Sequence, residues 1–113
     1  MTMPQAERER LVGKVFGELR RAEDLHAGFP ADPLHALAIA AEELGELTQA
    51  VLQWTYEGGR IKRVETEAIQ LAAMALQFVL NLPNYTPRPD GLQVGRGSSV
   101  REWAEEASNV SNS

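Results

Sequence analysis

The stretch Leu37-Ala38-Ile39-Ala40-Ala41-Glu42-Glu43-Leu44-Gly45-Glu46-Leu47-Thr48-Gln49-Ala50-Val51-Leu52 decides the fold class. Its apolar residues recur three and four apart, the period of a helix and not the alternation of a strand. On a wheel of about 100° per residue, Leu37, Ala41, Leu44, Leu47 and Val51 form one stripe. Glu43 and Glu46 fall on a different face, flanked by Ile39 and Ala50 rather than by Lys or Arg. Glu42 and Glu46 are a like-charged i,i+4 pair, which costs an isolated helix roughly 0.2–0.5 kcal/mol. From Ala22 through Gly59 there is no Lys or Arg to offset them. A bound metal cation would remove the conflict; a plainly solvated acidic face is the alternative.

A second amphipathic run repeats the arrangement. From near Ile61 to about Leu82, the residues Val64, Ala68, Leu71, Ala72, Ala75 and Val79 form a matching stripe. Glu67 and Gln70 then hold the angular offset that Glu43 and Glu46 hold on the preceding helix. Two antiparallel helices can point Glu43, Glu46, Glu67 and Gln70 at one shared spot. Met74 lies on that same face, as core packing or as a pocket wall.

The rest of the chain supports an all-α reading. A first helix is expected from about Gln5 to about His26, with Leu11, Val15, Leu19 and Ala22 as its stripe, widened by Val12 and Phe16. Its other faces carry several cations, of which Lys14 and Arg21 are candidates to meet phosphate oxygens; a mixed solvated surface is the alternative. Gly28 and Pro30 punctuate a linker. Asp32-Pro33 then opens the second helix, Asp32 as N-cap and Pro33 at the first helical position. That helix should reach about Tyr56, where Gly58-Gly59 stops it. Arg60, Lys62 and Arg63 begin the third helix, where the helix dipole disfavours cations. They read either as a phosphate clamp or as solubilising charge. Trp54 and Tyr56 close the second helix, by packing at its end or by stacking on a base. Pro83 ends the third helix, and Pro/Gly-rich sequence follows. Ser99-Val100-Arg101-Glu102 has the form of a capping box for a short last helix carrying Trp103 and ending near Ala107. The expected organisation is a helical domain over 1–82 and a linker, short helix and tail over 83–113.

Composition narrows the function classes. The chain has 113 residues, enough for one modest domain. Cysteine is absent, which excludes disulfides, Cys-based zinc sites and thiol catalysis. The net charge of −5 argues against a nucleic-acid polymer as partner. No apolar run is long enough to cross a bilayer, and the N-terminus has no signal-peptide pattern, so a cytoplasmic location is expected. Neither GxGxxG nor a Walker-type loop is present. His26 and His35 are the only histidines, and neither follows a Glu by three residues as in di-iron bundles.

These residues resemble the MazG-like all-α nucleoside triphosphate pyrophosphohydrolases. That family is marked by E-E-x-x-E on one helix and E-x-x-D on the next. Glu42-Glu43-Leu44-Gly45-Glu46 matches the first half in full, and Glu67-Ala68-Ile69-Gln70 matches the second except that Gln70 replaces Asp. The flanking Ala38-Ile39-Ala40-Ala41 and Leu71-Ala72-Ala73-Met74-Ala75 are similar to the family too, and the likeness covers about Leu19 to Leu82. The resemblance implies a bundle completed by oligomerisation as a homodimer or homotetramer, in a bacterial or phage-infected cell. It implies hydrolysis of a nucleoside triphosphate to monophosphate and pyrophosphate, dependent on Mg2+, with Mn2+ as a substitute. Glu43, Glu46, Glu67 and Gln70 would hold metal, and Glu42 and Glu43 would be catalytic. Gln70 brings an oxygen but no charge, so weaker or fewer metals are expected. The alternative is a non-catalytic helical module that binds nucleotide, metal or a protein partner.

Overall fold

The computed structural model describes residues 2–25 and 28–86. His26 and the expected C-terminal helix with Trp103 lie outside the described residues. Three helices make up the body: α1 (Gln5–Leu25), α2 (Pro33–Tyr56) and α3 (Ile61–Leu80), followed by a 3-10 turn at Leu82–Asn84. Among the described residues there is no strand, so the chain is all-α, as the apolar spacing predicts. No described helix is long and apolar enough to cross a membrane.

The caps follow the local chemistry. The Asp32 side chain accepts the Leu34 N–H at 2.9 Å, with Pro33 just behind it in the first turn. At the other end of α2, Gly58 adopts φ +71°, a conformation costly for any residue with a Cβ. The Gln53 carbonyl then receives the N–H groups of both Glu57 and Gly59 at 2.9 Å. Past Pro83 the chain stays in the packed body. Tyr85 donates its hydroxyl to the Phe78 carbonyl at 2.8 Å and lays its ring 5.0 Å from that of Phe78. Thr86 N–H reaches Ala31 carbonyl at 2.9 Å, tying the end of the described chain to the α1–α2 connection.

Helix α3 is central: α1 and α2 each pack on it and not on one another. Helices α1 and α3 run parallel, since Lys14 pairs with Glu65 near the start of α3 while Leu25 and Gln77 line one cavity near its end. Helices α2 and α3 run antiparallel, since Gln53 accepts from Arg63 near the start of α3 while Ile39 and Met74 line one cavity further along. The buried residues are few and mostly small: Leu19 and Ala22, Ala36 and Ala50, Ala73 and Gln77.

On α1 the stripe lies where the spacing places it: Leu19 and Ala22 are buried, and Leu11 and Val15 are half-buried. Val12 and Phe16 stay exposed. On the other two helices Leu47, Val64, Leu71 and Ala72 are half-buried as the stripes place them, and the rest of the expected inward face needs correcting. Leu37 (54% exposed), Leu44 (52%) and Val79 (55%) face outward, with Ala41, Val51, Ala68 and Ala75. What packs α2 on α3 is the alanine face of Ala36 and Ala50, roughly 120° round the helix from Leu37 and Leu44. The reason is steric: with only a Cβ at the contact the two backbones approach closely, and the larger side chains remain on the far side.

Candidate functional site

The packing of two helices on one leaves a groove between α1 and α2, with α3 as its floor. The groove is a cavity of about 440 Å³. Its floor is Gln70, Met74 and Gln77, three positions that share one face of α3 at i, i+4 and i+7. Helix α1 contributes Glu18, Arg21, Ala22 and Leu25, and α2 contributes Ile39, Glu42 and Glu43. The connection Gly28-Phe29-Pro30 closes one end. The cavity has an apolar half (Leu25, Phe29, Ile39, Met74) and a charged half (Glu18, Arg21, Glu42, Glu43).

Electrostatics in the charged half are strained. Because the alanine face of α2 is the packed one, Glu43 is carried toward α3 and half-buried. Its carboxyl is pushed above the usual carboxylate range, first by burial, then by the charges of Glu67, Glu46, Glu18 and Glu42. Four like charges therefore act on one acid, from all three helices. Glu18 is held below its usual range by the Arg21 guanidinium, whose Nε lies 3.0 Å from its carboxylate.

The residues singled out from the sequence separate into three places. Glu42, Glu43, Gln70 and Arg21 come together in the cavity. Glu67 and Glu46 do not line it, but their charges reach Glu43. Lys14, Lys62, Arg60 and Trp54 lie elsewhere. Glu65 draws Lys62 (2.8 Å), Lys14 (3.0 Å) and Arg10 (3.7 Å) to one carboxylate, which the hydrogen bonds and charge of Lys62 and Lys14 pull down to about 2. Arg60 is the exposed N-cap residue of α3, and Trp54 is half-exposed. Arg63 supplies the cation that α2 itself lacks: it donates to Gln53 and Gln49 and stands 3.9 Å from Glu46. Glu18, Phe29 and Gln77 belong to the site without having been singled out for it. Gln77 had a visible signal, a carboxamide interrupting the apolar run from Leu71 to Leu82.

The donors expected from the sequence, Glu43, Glu46, Glu67 and Gln70, are three carboxylates and one carboxamide oxygen, the ligand types a hard cation takes. Among the described residues, no three acidic or imidazole side chains are close enough together to hold an ion as they stand.

Comparison with known proteins gives one partial likeness. A Trigger factor from Delftia acidovorans (strain DSM 14801 / SPH-1) is 37% identical over 78 residues, which is 69% of this chain. The chain spans only 17% of the length of that curated relative. No family model and no solved structure matches.

Proposed function

We propose that the chain is a Mg2+-dependent nucleoside triphosphate pyrophosphohydrolase of the MazG-like kind, acting as a homo-oligomer. The observation that carries this reading is Glu43: a half-buried acid under the charge of four others, beside a cavity large enough for a nucleoside. Such a site stores a deficit of positive charge, which a triphosphate–magnesium complex supplies.

Glu43, Glu46, Glu67 and Gln70 are the side chains that would hold the ion. When bound, a divalent cation offsets charge on the phosphates and lowers the pKa of water. Glu42, at the cavity rim, orients the attacking water and accepts its proton. The water oxygen bonds to the α-phosphorus, the bond from that phosphorus to the bridging oxygen breaks, and pyrophosphate leaves with the bridging electron pair. Arg21, turned into the same cavity, is the cation placed to meet phosphate or leaving-group oxygens; Glu18 holds its guanidinium in place.

The test is incubation with each nucleoside triphosphate and Mg2+, reading pyrophosphate. Glu43→Ala or Glu46→Ala should abolish release while leaving helix content intact. Full activity in both variants overturns the site. The exposed apolar stripe and the neutral Gln70 favour a second reading, a non-catalytic module that binds nucleotide, metal or a protein partner. No release from any triphosphate, with Mg2+ still raising the melting temperature, selects that reading.

A further inference from the structure

Gln77 is the one polar side chain in the core of the described residues. It is 2% exposed, at the inner end of the α3 floor of the cavity. Leaving a carboxamide unpaired in such a place costs free energy, so a protein core rarely keeps one without a use. Among the described residues its side chain makes no hydrogen bond, although the Gln77 backbone carbonyl accepts from Asn81. Gln77 is one of the residues that line the cavity, so a ligand held there would lie against it.

The surroundings say what kind of partner it awaits. The side chains beside it in the cavity are apolar and flat or flexible: Phe29, Met74, Leu25 and Ile39. Phe29 offers a stacking face and Met74 a polarizable edge contact. The charged groups lie toward the other half, at Glu18, Arg21, Glu42 and Glu43. A ligand that satisfies both halves is a flat heteroaromatic ring with an anionic substituent. A carboxamide presents an N–H donor and a carbonyl acceptor side by side, which pairs with adjacent acceptor and donor groups on a nucleobase edge.

Resting on the pyrophosphohydrolase reading for the identity of the substrate, we infer that Gln77 is the specificity-determining residue that hydrogen-bonds the edge of the nucleobase in this cavity. Gln70 and Gln77, two turns apart on one helix, then divide the work: Gln70 lies nearest the acids, Gln77 reads the base.

The experiment measures binding of free nucleosides to the full chain by calorimetry, with wild type, Gln77→Leu and Gln77→Glu. Pyrophosphate release from the triphosphates is assayed in parallel. Wild type should prefer one base. Gln77→Leu should bind that nucleoside about ten- to a hundredfold more weakly, the range that one bidentate base contact supplies. An analogue lacking the exocyclic group of that base edge should bind wild type weakly and Gln77→Leu no worse than the parent nucleoside does. Gln77→Glu, which keeps acceptors only, should change the order of preference among bases. Circular dichroism and thermal melting confirm folding; should Gln77→Leu not fold, Gln77→Glu carries the test through the order of bases. An unchanged preference in the folded variants overturns the inference, and so does a wild type that binds no nucleoside. Nucleoside binding that depends on Gln77 with no pyrophosphate released from any triphosphate overturns the hydrolase reading instead and leaves the base contact standing.

Discussion

At the residue scale, two glutamates illustrate opposite uses of charge. Glu43 has a carboxyl raised by burial and like charges, so folding favours its protonated form. The stability it contributes is present at low pH and lost as pH rises through its folded pKa. Glu65 is the reverse: hydrogen bonds and charge from Lys62 and Lys14 lower it from 4.5 to about 2. Its contribution is present above pH 4.5 and lost as pH falls toward 2. Melting temperature followed from pH 2 to pH 8 without divalent metal should show both effects. Glu43→Gln should flatten the decline on the alkaline side and melt at or above wild type at pH 7. Glu65→Gln should flatten the acid side and melt below wild type at pH 7. If the proposed hydrolase reading holds, the same Glu43→Gln protein should lose pyrophosphate release by about a hundredfold or more, because the carboxylate that burial and like charge disfavour is the one that reading assigns to the metal. A Glu43→Gln protein that melts well below wild type at pH 7 would mean that the acid is a structural anchor. Replacing Gln70 by Asp restores a fourth charge at the proposed site. Gln70→Asp should bind Mg2+ several-fold more tightly, read as a larger rise in melting temperature at a fixed Mg2+ concentration.

At the scale of elements, the helix ends were the most legible part of the sequence. Asp32-Pro33 and Gly58-Gly59 are local signals whose meaning does not depend on the rest of the fold, and the structure places α2 between them. The first halves of the helix faces were legible for the same reason on α1, where one stripe meets one neighbour. On α2 and α3 the wheel found the apolar stripes but not the alanine face that packs the two helices together. Alanine has little hydropathy, so the face of Ala36, Ala50 and Ala73 did not stand out beside Leu37, Leu44 and Val79. Its value is spatial, in letting backbones approach, and that cannot be read from one helix alone. The Gly pair makes a separable prediction. Gly58→Ala should cost about 1–2 kcal/mol, the penalty of a left-handed backbone with a Cβ. Gly59→Ala should also destabilise, since a Cβ there would lie 2.9 Å from the Gln53 carbonyl carbon. Gly17, mid-α1 with nothing near its missing Cβ, is the control: Gly17→Ala should stabilise by about 0.5–1 kcal/mol. Urea titrations of the three variants separate backbone conformation from helix propensity.

At the scale of the whole molecule, the decisive feature is what the three helices leave uncovered. The stripes of α2 and α3 lie on one side of that pair, the side away from the cavity, and Leu37, Leu44, Val51, Ile61 and Val79 are all more than a third exposed. Scattered apolar residues on a surface need no explanation, but two facing stripes on neighbouring antiparallel helices make a contiguous patch. Its texture suits a second copy of the chain. Ala41, Ala68 and Ala75 alternate with Leu and Val, giving holes beside knobs, and a two-fold contact needs only one patch complementary to itself. Pairing two such faces makes a four-helix core while both cavities stay open. Under the proposed homo-oligomer, a partner copy would add apolar burial to a body whose described residues bury few side chains of their own. The wild-type chain should therefore sediment as a dimer or a larger assembly at tens of micromolar, with a melting temperature that rises with protein concentration. Leu44→Glu, at the centre of the patch and outside the cavity, should shift the chain to monomer and remove the concentration dependence. A wild-type monomer at those concentrations, or a Leu44→Glu protein that assembles as before, would show that the patch meets some other surface. Because α2 and α3 also carry Glu43 and Gln70, the Leu44→Glu monomer should bind Mg2+ more weakly than the assembled protein, and titration of the melting temperature with Mg2+ at matched protein concentration measures that coupling.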